Sequence, residues 1–417
     1  MRIASAADAA RDIIAAVLVQ PSLRVPLADA AGHVLAEDLI ASIPLPPWTN
    51  SAMDGYAVRA DDVRGATRTS PRRLTLAAAV AAGDMTDRAL QPGEAMRIYT
   101  GARVPAGADS VVRQEDTDRG TPIVLVFDDR DAGANVRPAG ADLARGAQAL
   151  PAGSVIGPHQ VAVIAALGIA HPMVHRRPRI GILATGDEVV SLDHPEEILA
   201  GRKLADVNGA VIAALVHQAG GIPVPLGIAD DQPANLRQIV TAADDVDLLI
   251  SAGGVSVGDH DHVRGVMATC DVTTRFDRVR VRPGGPTAFG SFPDGRAWLA
   301  LPGNPVSAMV TFELFARPAI RAMAGHRQPL RSPVRVALRD AARRDAVLDQ
   351  YLRCTLTPVA DGALAIAALT GPQGSGMLMS MVRADCLAII PAGEGSLPAG
   401  SAVEALCFDH PGRAPGP

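Results

Sequence analysis

The stretch Leu301-Pro302-Gly303-Asn304-Pro305-Val306-Ser307 joins two sequence patterns, and its reading decides the fold. Before it stands an apolar run, residues 297–301, with the length of a buried strand. After it, apolar positions across residues 306–323 suit a helix. Asn304 can cap that helix, and Pro305 suits its first position, where a missing N–H is harmless. Gly303 lets the backbone approach a ligand with no side chain in the way. A helix that starts at a strand end presents free N–H groups and the positive end of its dipole, a setting that favours anions. The plainer reading is an ordinary strand-to-helix turn, and the stretch alone does not separate the two.

Upstream, from Arg179, strand and helix patterns alternate. Strands are expected at 180–184, 223–228 and 248–251, and helices at 209–218, 232–243 and 262–268. Such alternation predicts a parallel α/β sheet. Two further strand ends run into glycine-bearing loops, Thr185-Gly186-Asp187-Glu188 and Gly253-Gly254-Val255-Ser256-Val257-Gly258-Asp259. In a parallel sheet all three loops emerge at the carboxyl edge, where ligands bind. Each offers backbone amides and a hydroxyl (Thr185, Ser256 or Ser307), a combination that suits phosphate. Asp187, Glu188, Asp230, Asp231, Asp259 and Asp261 would crowd an anion unless Mg2+ bridged carboxylates and phosphate oxygens. Capping of helices by Asp231, Asp259 and Asp261 is the competing explanation. The run Asp259-His260-Asp261-His262 looks like a transition-metal site, but neighbours on one loop seldom converge on one ion.

The remaining features set bounds. A chain of 417 residues predicts two to four domains. With 48 % hydrophobic and only 3 % aromatic residues, aliphatic packing must build the core. A net charge of −5 with mixed signs argues against a nucleic-acid surface or a polybasic membrane patch. No apolar run is long enough for a membrane span, and Asp8, Arg11 and Asp12 break any signal-like segment. Cys270, Cys354, Cys386 and Cys407 form no CxxC pair and read as reduced thiols of a cytoplasmic protein. Lys203 is the only lysine, arginine standing at the other basic positions. Residues 5–20 suggest a helix capped by Ser5, 55–145 a β-rich region, and 158–167 another helix. Alternation at 334–338, 351–357 and 384–390 predicts a small C-terminal β-barrel or sandwich.

Together these blocks resemble the MoeA family of molybdopterin molybdenumtransferases, which is related to the C-terminal domain of gephyrin. Besides the three loops, the resemblance rests on residues 50–59, Arg97 to Ala102, Pro105 to Asp109, Asn135-Val136-Arg137, Gly140-Ala141-Asp142, Ser375 to Leu378 and Ser380-Met381. It implies a fold of class α/β plus β, in an elongated multi-domain subunit. The parts expected are an N-terminal domain of residues 1–45 and 146–177, whose helix within 1–25 can pack on another domain, and a β-rich domain, 46–145. An α/β molybdopterin-binding domain, 178–328, a C-terminal β-barrel, 329–410, and a disordered tail, 411–417, complete the chain.

The function implied is insertion of molybdate into adenylated molybdopterin with release of AMP, by a Mg2+-dependent transferase that works as a homodimer. Tungstate is the alternative oxyanion, an adenylyltransferase the upstream partner, and molybdoenzyme chaperones the downstream ones. The residues implied as catalytic are Asp54, Thr100, Asp142, Glu188, Asp230 and Asp261, with Asp187, Glu188 and Asp261 on the metal. Substrate binding falls to Thr185, Gly186, Asp206, Asn208, Gly253, Gly254, Ser256 and Gly258, and to Arg278 and Arg282 as counter-charges with Arg137. Pro302, Gly303, Asn304, Pro305, Ser307 and Ser375 complete that set.

Three departures stand out. Arg282-Pro283-Gly284-Gly285-Pro286 replaces a Lys-Pro-Gly-Lys-Pro common among bacterial relatives, so Gly285 removes a cation. Asp206-Val207-Asn208 lacks a usual hydroxyl, and Ala384-Asp385-Cys386 replaces an expected Ala-Asn-Gly. They motivate a second reading, a non-catalytic pterin-binding or scaffold paralogue. A third, a CinA-like nucleotide-processing enzyme, would share only the α/β domain.

Overall fold

A computed structural model describes residues 3–230, 232–254, 262–359 and 362–409. Its central sheet runs in the order Ile222–Ala229, Arg179–Thr185, Leu248–Ala252, Ala297–Leu301, Ala288–Ser291, Thr273–Phe276. The first four strands are parallel. Ala288–Ser291 runs antiparallel to its neighbours, so the expected parallel sheet is mixed at one edge. The short link from Ser291 to Ala297 accounts for this, since a parallel pair needs a longer crossover. Helices Val207–Gln218 and Pro305–Thr311 cover one face, through Ile212, Val216, Val306 and Val310. Pro233–Ala242 and His262–Thr269 cover the other, through Leu236, Val240, Val263 and Met267. Trp298 is fully buried and donates its indole N–H to Ser251 Oγ at 3.0 Å, which satisfies both polar groups inside the sheet layer.

The helix expected over 306–323 is broken into Pro305–Thr311, a π-helical turn Phe312–Ala316 and Arg317–Met323. Pro318 has no N–H and its ring crowds the carbonyl four residues earlier, so a regular α-helix cannot pass through it. At the N-terminus, Ser5 Oγ accepts from the N–H of Asp8 at 3.1 Å and caps helix Ala6–Ala16. Strand Ile3–Ala4 pairs with Arg278–Val279, and Ile13 packs into the cluster that holds Ile320.

Two shorter pairings, Ser22–Arg24 with Met173–His175 and Leu39–Ile40 with Gln148–Leu150, join stretches on either side of the β-rich region. That region is a five-stranded sheet in the order Ser110–Arg113, Gly55–Val58, Glu94–Ile98, Arg72–Val80, Ile123–Val126. Near the C-terminus five strands close into a barrel: Val334–Leu338, Ile366–Leu369, Asp349–Thr357, Cys386–Ile390 and Ala402–Cys407. Cys354, Cys386 and Cys407 stand side by side in its register, and all four cysteines are free thiols. Burial pushes the Cys354 thiol up to about 11.

Candidate functional site

The described parts of the three predicted loops meet at the carboxyl edge of the sheet. Thr185 ends its strand almost fully buried, with Oγ1 donating to the carbonyl of Ala252 at 3.4 Å. Gly253 follows Ala252 with φ of +98°, and its N–H donates to the carbonyl of Leu301 at 3.1 Å. A Cβ on Gly253 would lie 2.8 Å from both Thr185 O and Oγ1, and one on Gly254 would lie 2.5 Å from Val263 Cγ2. A Cβ on Gly303 would reach Gly253 Cα at 3.4 Å. Glycine at 253 lets the second loop close on Thr185 of the first, and at its φ only glycine adopts the conformation cheaply, while the third loop meets the second at Gly303 in ordinary contact.

Around that junction, Pro302 is buried while Gly303 and Asn304 are exposed. Asn304 sits at the N-cap of Pro305–Thr311, but its side chain makes no cap hydrogen bond, contrary to the sequence expectation. Pro305 has no N–H, and the N–H of Val306 donates to the carbonyl of Ser375 at 3.2 Å. The helix start therefore offers fewer free donors than its sequence suggests, because a loop of the C-terminal region already fills part of it. Ser307 is buried, and its carbonyl accepts from Thr311 Oγ1 at 2.8 Å. Asn208 Nδ2 donates to the carbonyl of Gly303 at 2.7 Å, while Asn208 Oδ1 is shielded from water and has no hydrogen-bond partner. Asp206 caps the helix that carries Asn208, accepting from the N–H of Gly209 at 2.7 Å.

On the Arg179–Thr185 side the edge opens into a cleft of about 880 Å³, with Gly186, Asp187, His194, Lys203, Asp206 and Asp230 among its walls. Asp187 and Glu188 are exposed, and Glu188 folds back over the turn, its Oε2 2.7 Å from where a Gly186 Cβ would be. Asp230 accepts from the N–H of Gln232 at 3.3 Å and from Asn235 Nδ2 at 2.8 Å, so its carboxylate also organises a helix start. The donors here are hard oxygens, and no group of three His, Cys, Asp or Glu side chains converges among the described residues. This fits Mg2+, which is commonly held by one or two carboxylates together with substrate phosphates. Ser256, Gly258 and Asp261, with Asp231, Asp259 and His260, lie outside the described residues.

The excursion between Phe276 and Ala288 leaves and re-enters the sheet at the same edge. Val279 and Val281 face inward; Arg278 is half-buried, and Arg280 and Arg282 are exposed, as on a one-sided strand. Arg282 lies 4.0 Å from Asp345. Gly284, at φ of +111°, packs on Thr311, where a Cβ would clash at 2.2 Å. The arginine loop thus rests on the helix of the third loop.

Asp54, Thr100 and Asp142 form a separate group. Thr100 donates to Asp54 Oδ1 twice, from its N–H at 2.8 Å and its hydroxyl at 2.7 Å. These bonds hold the Asp54 carboxyl below its usual range. Asp142 is exposed, and its N–H donates to the carbonyl of Leu45 at 2.9 Å. Arg137 pairs in register with Asn50. Among the described residues no hydrogen bond or ion pair joins Asp54, Thr100 or Asp142 to the three loops. Sequence reasoning missed the segment from Val189 to Ala205, whose pairing of Val189–Val190 with Leu204–Ala205 brings His194 and Lys203 to the cleft. The available signal was Lys203 itself, a lone lysine three residues before the Asp206 cap.

Residues 4–168 match the family model "MoeA N-terminal region (domain I and II)", residues 181–322 "Probable molybdopterin binding domain", and residues 335–408 "MoeA C-terminal region (domain IV)". A molybdopterin molybdenumtransferase from a Nostoc species is 37 % identical over 90 % of this chain and 86 % of the relative. Molybdopterin molybdenumtransferase 2 of Mycobacterium tuberculosis is 35 % identical over 92 % of this chain and 94 % of the relative. The crystal structure of a molybdopterin biosynthesis MoeA protein from Pyrococcus horikoshii superposes with a TM-score of 0.81 at 28 % identity, covering 98 % of this chain and all of that one. No described helix is long and apolar enough to cross a membrane.

Proposed function

This chain belongs to the MoeA family, and from that premise we propose that its three-loop crevice inserts molybdate into adenylated molybdopterin and releases AMP. The protein is a transferase of molybdenum cofactor biosynthesis. The observation that carries the proposal is the convergence of Thr185, Gly253 and Gly303, with Asn208 tying the third loop in place.

Cleaving a pyrophosphate requires the phosphates to be held and their growing charge neutralised. The exposed Asn304 side chain and the unpartnered Asn208 Oδ1 are placed to orient the pterin or its phosphates, an acceptor such as Asn208 Oδ1 suiting an N–H of the pterin. Arg278 and Arg282 supply positive charge for the oxyanion, molybdate or tungstate, at the same edge. Asp187 and Glu188 would hold Mg2+, whose charge lowers the repulsion between phosphate and an incoming oxyanion. Asp261 is proposed to join them. Asp54, with its lowered pKa, suits a cation-binding or orienting role better than proton uptake.

A homodimer accounts for the separation of Asp54, Thr100 and Asp142 from the loops, since a second protomer could bring this group to the crevice. The proposed setting is cytoplasmic, between an adenylyltransferase that supplies the adenylated pterin and molybdoenzyme chaperones that take the product.

Gly285 keeps a scaffold reading in play, because it withdraws a cation where the oxyanion is proposed to sit. AMP release from adenylated molybdopterin with Mg2+ and molybdate decides between the two. Release at a rate comparable to a relative supports the transferase; pterin binding without AMP selects the scaffold. A CinA-like reading does not account for the matches on both flanks of the α/β region.

A further inference from the structure

Lys203, which no part of the sequence reading assigned to the site, is a wall of the same cleft. Its Nζ donates to the carbonyl oxygen of Asp187, in the first crevice loop. The contact follows from the backbone: Leu204 pairs with Val189, and the N–H of Leu204 donates to the carbonyl of Glu188 at 2.8 Å, so the preceding residue is delivered beside Asp187. An Arg202–Glu197 ion pair at 2.8 Å closes the loop behind it.

The cleft wall carries Asp187, Asp193, Asp206 and Asp230, and Lys203 and His194 are its only basic side chains among the described residues. Asp206 and Asp230 are engaged at helix starts. A polyanion entering here therefore meets one fixed positive charge, the Lys203 ammonium. An ammonium has three N–H donors. With one on Asp187, two remain for a ligand, and the carbonyl anchor limits the entropy lost on binding. A guanidinium would present a planar, delocalised fork instead of this compact charge. The chain has arginine at its other basic positions, yet its single lysine stands at this cleft.

We propose that Lys203 is a substrate-binding residue that donates to a phosphate oxygen of the adenylated pterin. The inference rests on the transferase reading. A residue that merely pinned the Val189–Ala205 segment would neither be shielded by substrate nor alter its apparent affinity selectively.

Because Lys203 is the only lysine, reductive methylation with formaldehyde and dimethylamine–borane, read by peptide mass spectrometry, reports on one side chain apart from the N-terminus. The full-length protein is treated with and without saturating adenylated molybdopterin, molybdate being omitted so that the substrate persists. The expected result is Lys203 methylation slowed at least tenfold by the substrate. In parallel, Lys203→Met is expected to raise KM for adenylated molybdopterin about tenfold with kcat changed less than about twofold, the loss of a charge-assisted contact. Lys203→Arg should recover part of that loss. Unchanged labelling on wild-type protein that does release AMP overturns the inference and leaves the transferase reading standing. Protection without any AMP release overturns the catalytic reading and supports the contact. Neither protection nor AMP release overturns both.

Discussion

Asn208 donates from Nδ2 to the carbonyl oxygen of Gly303 at 2.7 Å, and so joins the first turn of helix Val207–Gln218 to the Leu301–Ser307 turn. The bond spans elements far apart in sequence, and Oδ1, the acceptor of the same amide, is left buried without a partner. Asn208→Ala should therefore act at two levels. Loss of the Gly303 bond would lower thermal stability modestly, by about 1 kcal/mol. Substrate affinity should fall further, with KM for adenylated molybdopterin rising about tenfold if a ligand N–H meets Oδ1. Calorimetry and steady-state kinetics on the same preparation separate the two, and an unchanged KM would remove the amide from the site.

Gly253 and Gly295 allow a paired test of loop packing. Both have positive φ, +98° and +92°, but a Cβ on Gly295 would meet nothing within 4 Å. Gly253→Ala carries the conformational strain and a clash with Thr185, so it should destabilise by about 1–3 kcal/mol and lower AMP release at least tenfold. Gly295→Ala should show the strain alone and retain activity. Equal activity loss in both would mean that the junction is not at the reacting centre.

Asp54 has a lowered folded pKa, so the stabilisation from its bonds to Thr100 is present above the unfolded value of 3.8 and fades as pH falls through the folded value. Wild type and Asp54→Asn should therefore differ in melting temperature by a constant amount from pH 5 to 8, and converge below about pH 4. Any acidic limb of the rate profile between pH 5 and 7 should persist unchanged in Asp54→Asn. A limb that vanishes in the variant would instead make Asp54 a titrating catalytic group.

At Gly285 the nearest atoms to a built Cβ are Val281 O at 3.6 Å and Val279 O at 3.7 Å, ordinary contact distances. The φ of Gly285 is not in the positive region, so its backbone accepts an L side chain. Lysine should thus be accepted with a melting temperature within about 2 °C of wild type. The added charge should lower KM for molybdate several-fold and leave KM for the pterin unchanged. No response to either would place the oxyanion elsewhere.

Chelation by EDTA should abolish AMP release, and Mg2+ should restore it. Asp187→Asn and Glu188→Gln are each expected to raise the Mg2+ concentration for half-maximal rate about tenfold, as removal of one carboxylate from a site completed by phosphate implies. The same shift should appear in Mg2+-dependent binding of adenylated molybdopterin measured without molybdate. Wild-type Mg2+ dependence in both variants would move the metal away from these two side chains.

Much of the molecule was legible beforehand because its signals are local. Strand Ala297–Leu301 matches its expected span, and the neighbouring parallel strands lie within a residue or two of theirs, since unbroken aliphatic runs between glycine-rich loops have few alternatives. The antiparallel Ala288–Ser291 strand went unread, because only the short link to Ala297 distinguishes it. The Val189–Ala205 segment was equally opaque, its two-residue strands being too short to show a period.

Sequence alone determined the family, the α/β layer with its flanking β regions, and the three loops that end at one edge. Glycine position, apolar run length and motif order carry that information within a few residues of each site. Only the tertiary structure decided which donors those loops still offer. Ser375 takes the Val306 N–H, Asn208 holds Gly303 but leaves its own oxygen unpaired, and Lys203 reaches Asp187. Each of these contacts joins residues from different elements. Hydrogen bonding is satisfied across the folded chain rather than along it, so no local pattern can assign them.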